Sequence, residues 1–231
     1  MARGVNQKEE CPVQITAGKV TLPGDLCIPD SARGLVLFAH GSGSSRRSPR
    51  NRYVAQVLRD AKLATLLFDL LTPEEELEDI QTARLRFDIK LLADRLIGAT
   101  DWAKDNDSTR DLDIGYFGAS TGAAAALIAA VERPDVVRAI VSRGGRPDLA
   151  GGVLKRVRAP TLLIVGGRDY PVIDMNRDAL AKLAAEKEMI IVPGATHLFE
   201  EPGALEEAAR LTTDWFVRHI KQEHEDNPSP A

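Results

Sequence analysis

The chain has 231 residues, 44% hydrophobic and 28% charged, and its 34 acidic against 30 basic side chains leave a formal net charge of -4. A chain of this length buries one sizeable core, which suggests a single domain over residues 1–222 with a polar tail, 223–231, expected to be disordered. The acidic balance gives no reason to expect nucleic acid or an anionic membrane as partner; the absence of any apolar run near about 18 residues and of a signal-peptide core makes a cytoplasmic location the expectation.

Residues 12–16 alternate apolar and polar, Ala17-Gly18-Lys19 is turn chemistry, and 20–28 continue as a second strand interrupted by Pro23-Gly24. This predicts an antiparallel hairpin at a sheet edge, where a strand proline is tolerated. Cys11 and Cys27 fall in these two segments and are expected as thiols, since a cytosolic protein of this size needs no staple. Residues 34–39 (GLVLFA) read as a strand buried on both faces. His40-Gly41-Ser42-Gly43-Ser44-Ser45-Arg46-Arg47 leaves it, and Ser48-Pro49 begins a helix with Tyr53, Val54, Val57, Leu58 and Ala61 inward.

Residues 64–68 are a further buried strand; 69–78 read as a loop with a short helical turn, and Glu74-Glu75-Glu76 as a solvated face. From Phe87, apolar positions at Leu91, Leu92, Leu96, Ala99, Trp102 and Ala103 recur at helical spacing until Asn106-Asp107-Ser108. Residues 113–117 are a strand that runs into Gly118-Ala119-Ser120-Thr121-Gly122 and then an apolar helix, 123–130. Strands follow at 136–141, 161–165 and 189–192, with helices between them around 148–157 and 175–187; a last helix starts at Glu201-Pro202 and buries Leu205, Trp215 and Phe216. Strands alternating with helices imply a mostly parallel sheet covered on both faces, with the ligand beyond the carboxyl ends of the strands.

The loops at that edge carry the chemistry. G-x-S-x-G between a strand and a helix lifts Ser120 onto a sharp turn. A serine hydroxyl needs a base to take its proton, and the base needs a third group to hold its tautomer. Of four histidines, His197 follows the last strand and reaches the active edge; His40 ends a strand ahead of the elbow, His219 lies in the last helix and His224 in the tail. For the acid, Asp169 in Gly166-Gly167-Arg168-Asp169 comes straight off a strand, with Asp148 the rival and Asp174 more distant. Backbone N–H donors for an oxyanion are expected at Thr121 and Ser42, with Gly43 as the alternative to Ser42. The GSG also invites a phosphate-loop reading, but Arg46 stands where a third glycine is due and the P-loop lysine is absent. No cluster has metal-ligand spacing, so neither metal nor other cofactor is expected.

His40-Gly41-Ser42-Gly43, GASTG, GGRD and GATH together make the chain similar to α/β-hydrolases of the dienelactone hydrolase-like group, over about residues 13–220. The resemblance implies an eight-stranded sheet without a separate lid domain, a Ser120, Asp169 and His197 triad, and hydrolysis of small soluble esters or lactones through an acyl-enzyme. Dienelactone hydrolases carry a cysteine nucleophile where this chain has Ser120, which favours a general carboxylesterase. A thioesterase, amidase or peptidase would share every motif, and a non-catalytic binding protein on the same scaffold is a further alternative. Arg46, Arg47, Arg50, Arg52, Arg143, Arg146 and Arg168 all fall in active-edge loops; Arg143, Arg146 and Arg46 are candidates to hold an anionic substrate, unless they pair with nearby carboxylates.

Overall fold

The structure, a computed structural model, describes residues 10–220. The expected tail at 223–231 and His224 lie outside the described residues.

Strands β1 (Cys11–Ala17) and β2 (Val20–Cys27) form the hairpin, with β1 at the sheet edge. Pro23 faces Gln14 of β1, while β2 meets its other neighbour, β4 (Ala64–Phe68), only from Gly24 to Cys27. The proline therefore sits where a ladder is needed on one side only. Register places Cys11 opposite Leu26, and the two cysteines are not bonded to each other. The remaining strands are β3 (Leu35–Ala39), β5 (Ile114–Ala119), β6 (Val137–Arg143), β7 (Thr161–Gly166) and β8 (Lys187–Val192). The sheet order is β1-β2-β4-β3-β5-β6-β7-β8, parallel from β4 onward.

Alternate residues of the central strands feed two cores. Val36, Phe38, Phe117 and Val141 face one side, where helices α1 (Pro49–Asp60) and α6 (Ala204–His219) bring Val54, Leu58, Trp215 and Phe216. Leu37, Tyr116 and Ile140 face the other, covered by α3 (Ile89–Asp105) and α4 (Thr121–Glu132). Nearly every residue of α4 is buried, which explains an apolar sequence with no polar stripe.

Four stretches differ from the sequence reading. Residues 69–78 are not mainly loop: α2 (Pro73–Thr82) is a full helix begun by a capping box. Thr72 Oγ1 accepts from the Glu75 N–H, Glu75 Oε2 accepts from the Thr72 N–H, and Pro73 follows the cap. Its apolar residues Leu77 and Ile80 point to solvent, so no inward stripe betrays it. Residues 147–156 form 3-10 turns broken at Gly151 (φ 60°) rather than an α-helix. Helix α5 (Tyr170–Lys182) begins earlier than expected, and α6 begins later, after Gly203 (φ 81°).

The reversal of strand order about β3 and β5 brings the loops leaving those two strands to one crevice. Their contact is tight: a Cβ on Gly122 would lie 2.1 Å from the Ala39 carbonyl oxygen and 2.6 Å from that of His40. Both obstacles are backbone and cannot swing aside. Gly122→Ala is accordingly expected to cost about 1–3 kcal/mol or more, lowering Tm by several degrees in thermal denaturation.

Candidate active site

Ser120 occupies the cap position between β5 and α4 with φ 50° and ψ -122°, a conformation that L-residues avoid. Neighbouring backbone maintains it: the Ser120 N–H donates to the Arg143 carbonyl at 3.4 Å, and the Ser120 carbonyl accepts from Ala123 N at 3.1 Å and Arg146 N at 3.0 Å. The loop after β3 presses on the same residue, since a Cβ on Gly41 would come within 2.9 Å of the Ser120 Cβ.

The loops after β7 and β8 are tied by hydrogen bonds from Gly167 N to Val192 O and Arg168 N to Ala195 O. This brings Asp169 to His197, whose Nδ1 lies 2.6 Å from Asp169 Oδ2. A carboxylate accepts, so Nδ1 carries the proton and Nε2 keeps its lone pair. The rival acid is occupied elsewhere: Asp148 takes Nε and Nη2 of Arg146 at 2.9 and 2.8 Å. Asp174 pairs with Arg177 on the surface.

Ser120 and His197 line one open cleft of about 250 Å³, shared with Ser42, Arg50, Asn51 and Arg143. A hydroxyl, an imidazole with a free lone pair and a carboxylate behind the ring form a set able to move a proton off the serine oxygen. Thr121 opens α4, where the first backbone N–H groups have no partner within the helix. The Gly41–Ser44 turn closes through Ser44 N to Gly41 O at 3.2 Å and leaves the Ser42 and Gly43 N–H groups out of its backbone hydrogen bonds. Both Ser42 and Gly43 thus retain a donor; Ser42, unlike Gly43, lines the cleft.

His40 is buried and structural: Nδ1 donates to Gly41 O at 2.9 Å, and Nε2 accepts from Leu70 N at 3.1 Å. On the far side of the Gly41–Ser45 loop, a second cavity of about 210 Å³ reaches Asp79, Ile80 and Arg86. Of the arginines named from sequence, Arg46 pairs with Asp69 and Asp25, Arg52 with Glu10, Arg50 with Glu200 and Arg146 with Asp148. Arg46 and Arg146 are therefore already neutralised and line neither this cleft nor the second cavity. Arg143 is different: it is 7% exposed and forms no ion pair among the described residues. Asn51 is the cleft residue that sequence reasoning missed; its one signal is a polar side chain on the inward face of α1. Among the described residues, no group of three His, Cys, Asp or Glu side chains could hold a metal ion, and no helix is long and apolar enough to cross a membrane.

Residues 58–222 match the dienelactone hydrolase family. A dienelactone hydrolase from Anabaena variabilis is 61% identical, over 94% of this chain and 100% of that one, with a TM-score of 0.92. Two Mycobacterium tuberculosis proteins, provisionally named as phosphoribosyl transferases, are 58% identical over 208 residues, which is 90% of this chain. The chain spans only 46% of their length. Est1E from Butyrivibrio proteoclasticus, 16% identical with a TM-score of 0.75, covers 90% of this chain and 98% of its own and shares the fold.

Burial pushes the His40 pKa below the ordinary value, only partly opposed by its bond to Gly41 O. The unfolded chain then takes up a proton near about pH 6.5 that the folded state refuses, so stability falls as pH drops through that value. Urea unfolding of the wild type from about pH 8 to 5 should show this loss, and His40→Gln, though less stable throughout, should show a shallower one.

Proposed function

The chain belongs to the dienelactone hydrolase family, and from that premise we propose that it is a serine hydrolase cleaving carboxylic esters or lactones of small substrates through an acyl-enzyme. Ser120 is the nucleophile, His197 the base and Asp169 the acid that orients the ring. The observation that carries this reading is the 2.6 Å contact between His197 Nδ1 and Asp169, on the wall of the cleft that also exposes Ser120.

In this scheme His197 Nε2 takes the Ser120 proton as Oγ attacks the acyl carbon. Negative charge develops on the former carbonyl oxygen, which the Thr121 and Ser42 N–H groups stabilise. The imidazolium returns its proton to the leaving alkoxide, and water, activated by the same ring, releases the acid. Serine in place of cysteine supports a carboxylesterase over a hydrolase of dienelactone itself. An open cleft of about 250 Å³ suits short acyl groups better than long lipid chains. The transferase name of the M. tuberculosis relatives is not carried over, because this chain spans less than half of them.

The test is direct. Wild type should turn over p-nitrophenyl acetate and butyrate, and Ser120→Ala should fall to background with Tm retained. Asp169→Asn should be slower by roughly 10³- to 10⁴-fold through the wrong imidazole tautomer, whereas Asp148→Asn should stay close to wild type. A fluorophosphonate should add its mass at Ser120. Hydrolysis surviving in Ser120→Ala overturns the assignment.

A further inference from the structure

Helix α5 has Asp169 as its N-cap and, about two turns further along the same face, carries Asn176. Asn176 is fully buried and does not line the cleft. Its Nδ2 donates twice, to Gly145 O at 3.0 Å and to Val172 O at 2.8 Å, while Oδ1 is buried with no partner among the described residues. Two carbonyl acceptors fix which end of the amide is nitrogen. An apolar side chain of similar volume would fill the same space without burying an unmatched oxygen, so packing alone does not call for an amide here.

The peptide group that accepts from Asn176 is also one that grips the nucleophile. Its oxygen belongs to Gly145 and its N–H to Arg146, and that N–H donates to the Ser120 carbonyl at 3.0 Å. A planar peptide transmits orientation from one end to the other, and a carbonyl that accepts a hydrogen bond makes the N–H of its own group a better donor. Of the two bonds to the Ser120 carbonyl, that from Ala123 lies within the turn and that from Arg146 comes from outside it. Outside support matters, because a serine at φ 50° persists only where its surroundings over-determine it. Just upstream, Gly144 (φ 50°) abuts the base: a Cβ there would lie 3.0 Å from His197 O and 3.6 Å from His197 Nδ1. The loop from Gly144 to Arg146 therefore touches both nucleophile and base, and Asn176 ties it to the helix that Asp169 begins.

We propose that Asn176 is a positioning residue for the nucleophile: by holding the Gly145–Arg146 peptide, it keeps the Ser120 turn in register with Asp169 and with the ring that Asp169 orients. One helix then sets both the acid and the support behind the serine. The catalytic consequence rests on the serine-hydrolase reading, whereas the hydrogen-bond relay from Asn176 to Ser120 does not.

Asn176→Ser isolates the relay. A serine hydroxyl on a helix still bonds back to the carbonyl four residues earlier, here Val172 O, but is too short to reach Gly145 O. Asn176→Leu removes both bonds at similar volume. In each variant, held well below its Tm, kcat and kcat/KM for p-nitrophenyl acetate should fall together by roughly 10- to 100-fold, as expected for a misplaced reacting group beside an intact cleft. Backbone amide exchange followed by NMR reads the relay without turnover. Exchange at Arg146 should quicken by roughly 3- to 10-fold relative to the amides of β5 and β6, which report global opening. An asparagine that only stabilised the fold would speed all of these amides together and leave kcat of the folded protein unchanged. Unchanged kcat, exchange that quickens uniformly, or an Asn176→Ser chain that does not fold overturns the proposal. Selectively faster exchange at Arg146, in a protein whose wild type shows no Ser120-dependent hydrolysis, supports the relay and defeats the hydrolase reading instead.

Discussion

Everything at the active edge depends on one crossing of backbones. The helix that follows Ser120 passes so close to the end of β3 that position 122 has no room for a side chain against the Ala39 and His40 carbonyls. That approach turns the chain sharply between β5 and α4 and leaves Ser120 at φ 50°, with its carbonyl held by Ala123 and Arg146. The strain is maintained by a rigid surround: a buried strand on each side and a helix embedded in the core. A serine in such a turn presents its oxygen to the crevice rather than to the helix, whose cap it does not bond.

The second organising feature is how charge is distributed around that crevice. Five acidic side chains, Glu10, Asp25, Asp69, Asp148 and Glu200, lie where the arginines of the edge loops can reach them. These pairs range from the half-buried Arg46–Asp69 to the more exposed Arg50–Glu200; the exposed ones add little stability, but together they offset much of the positive field that a count of loop arginines suggests. What remains is concentrated at Arg143, where burial makes an uncompensated charge matter far more than on the surface. Among the edge arginines for which the described residues show no ion pair, Arg143 is the buried one, next to the serine, while Arg47 and Arg168 are exposed.

Helix α2 illustrates where periodicity loses its power. Its start was written locally, in Thr72, Pro73 and Glu75, yet its apolar residues Leu77 and Ile80 do not face the core. The helix is instead fastened by charged contacts: Asp79 accepts from Leu85 N and Arg86 N and from the Arg86 guanidinium, while Glu75 pairs with Arg95. Hydrogen bonds around a single buried carboxylate leave no repeat to read, whereas capping chemistry does.

The sequence by itself determined the strand-helix alternation, the parallel sheet and the turn at Ser120, because each rests on local patterns: apolar runs, glycines at fixed offsets, and a helix apolar all round. It also narrowed the imidazole to His197, since chain order places few histidines at the carboxyl edge. It favoured Asp169 over Asp148 although both follow strands; the tertiary structure adds which partner each finds, His197 at 2.6 Å or Arg146 at 2.8 Å. The separation of Arg143 from Arg46 was invisible, because pairing can join residues far apart in the chain, such as Arg46 with Asp69 and Arg50 with Glu200; Arg146 instead finds Asp148 two residues on. Local sequence specifies backbone conformation; which charges are neutralised is set by packing, and only the folded chain decides it.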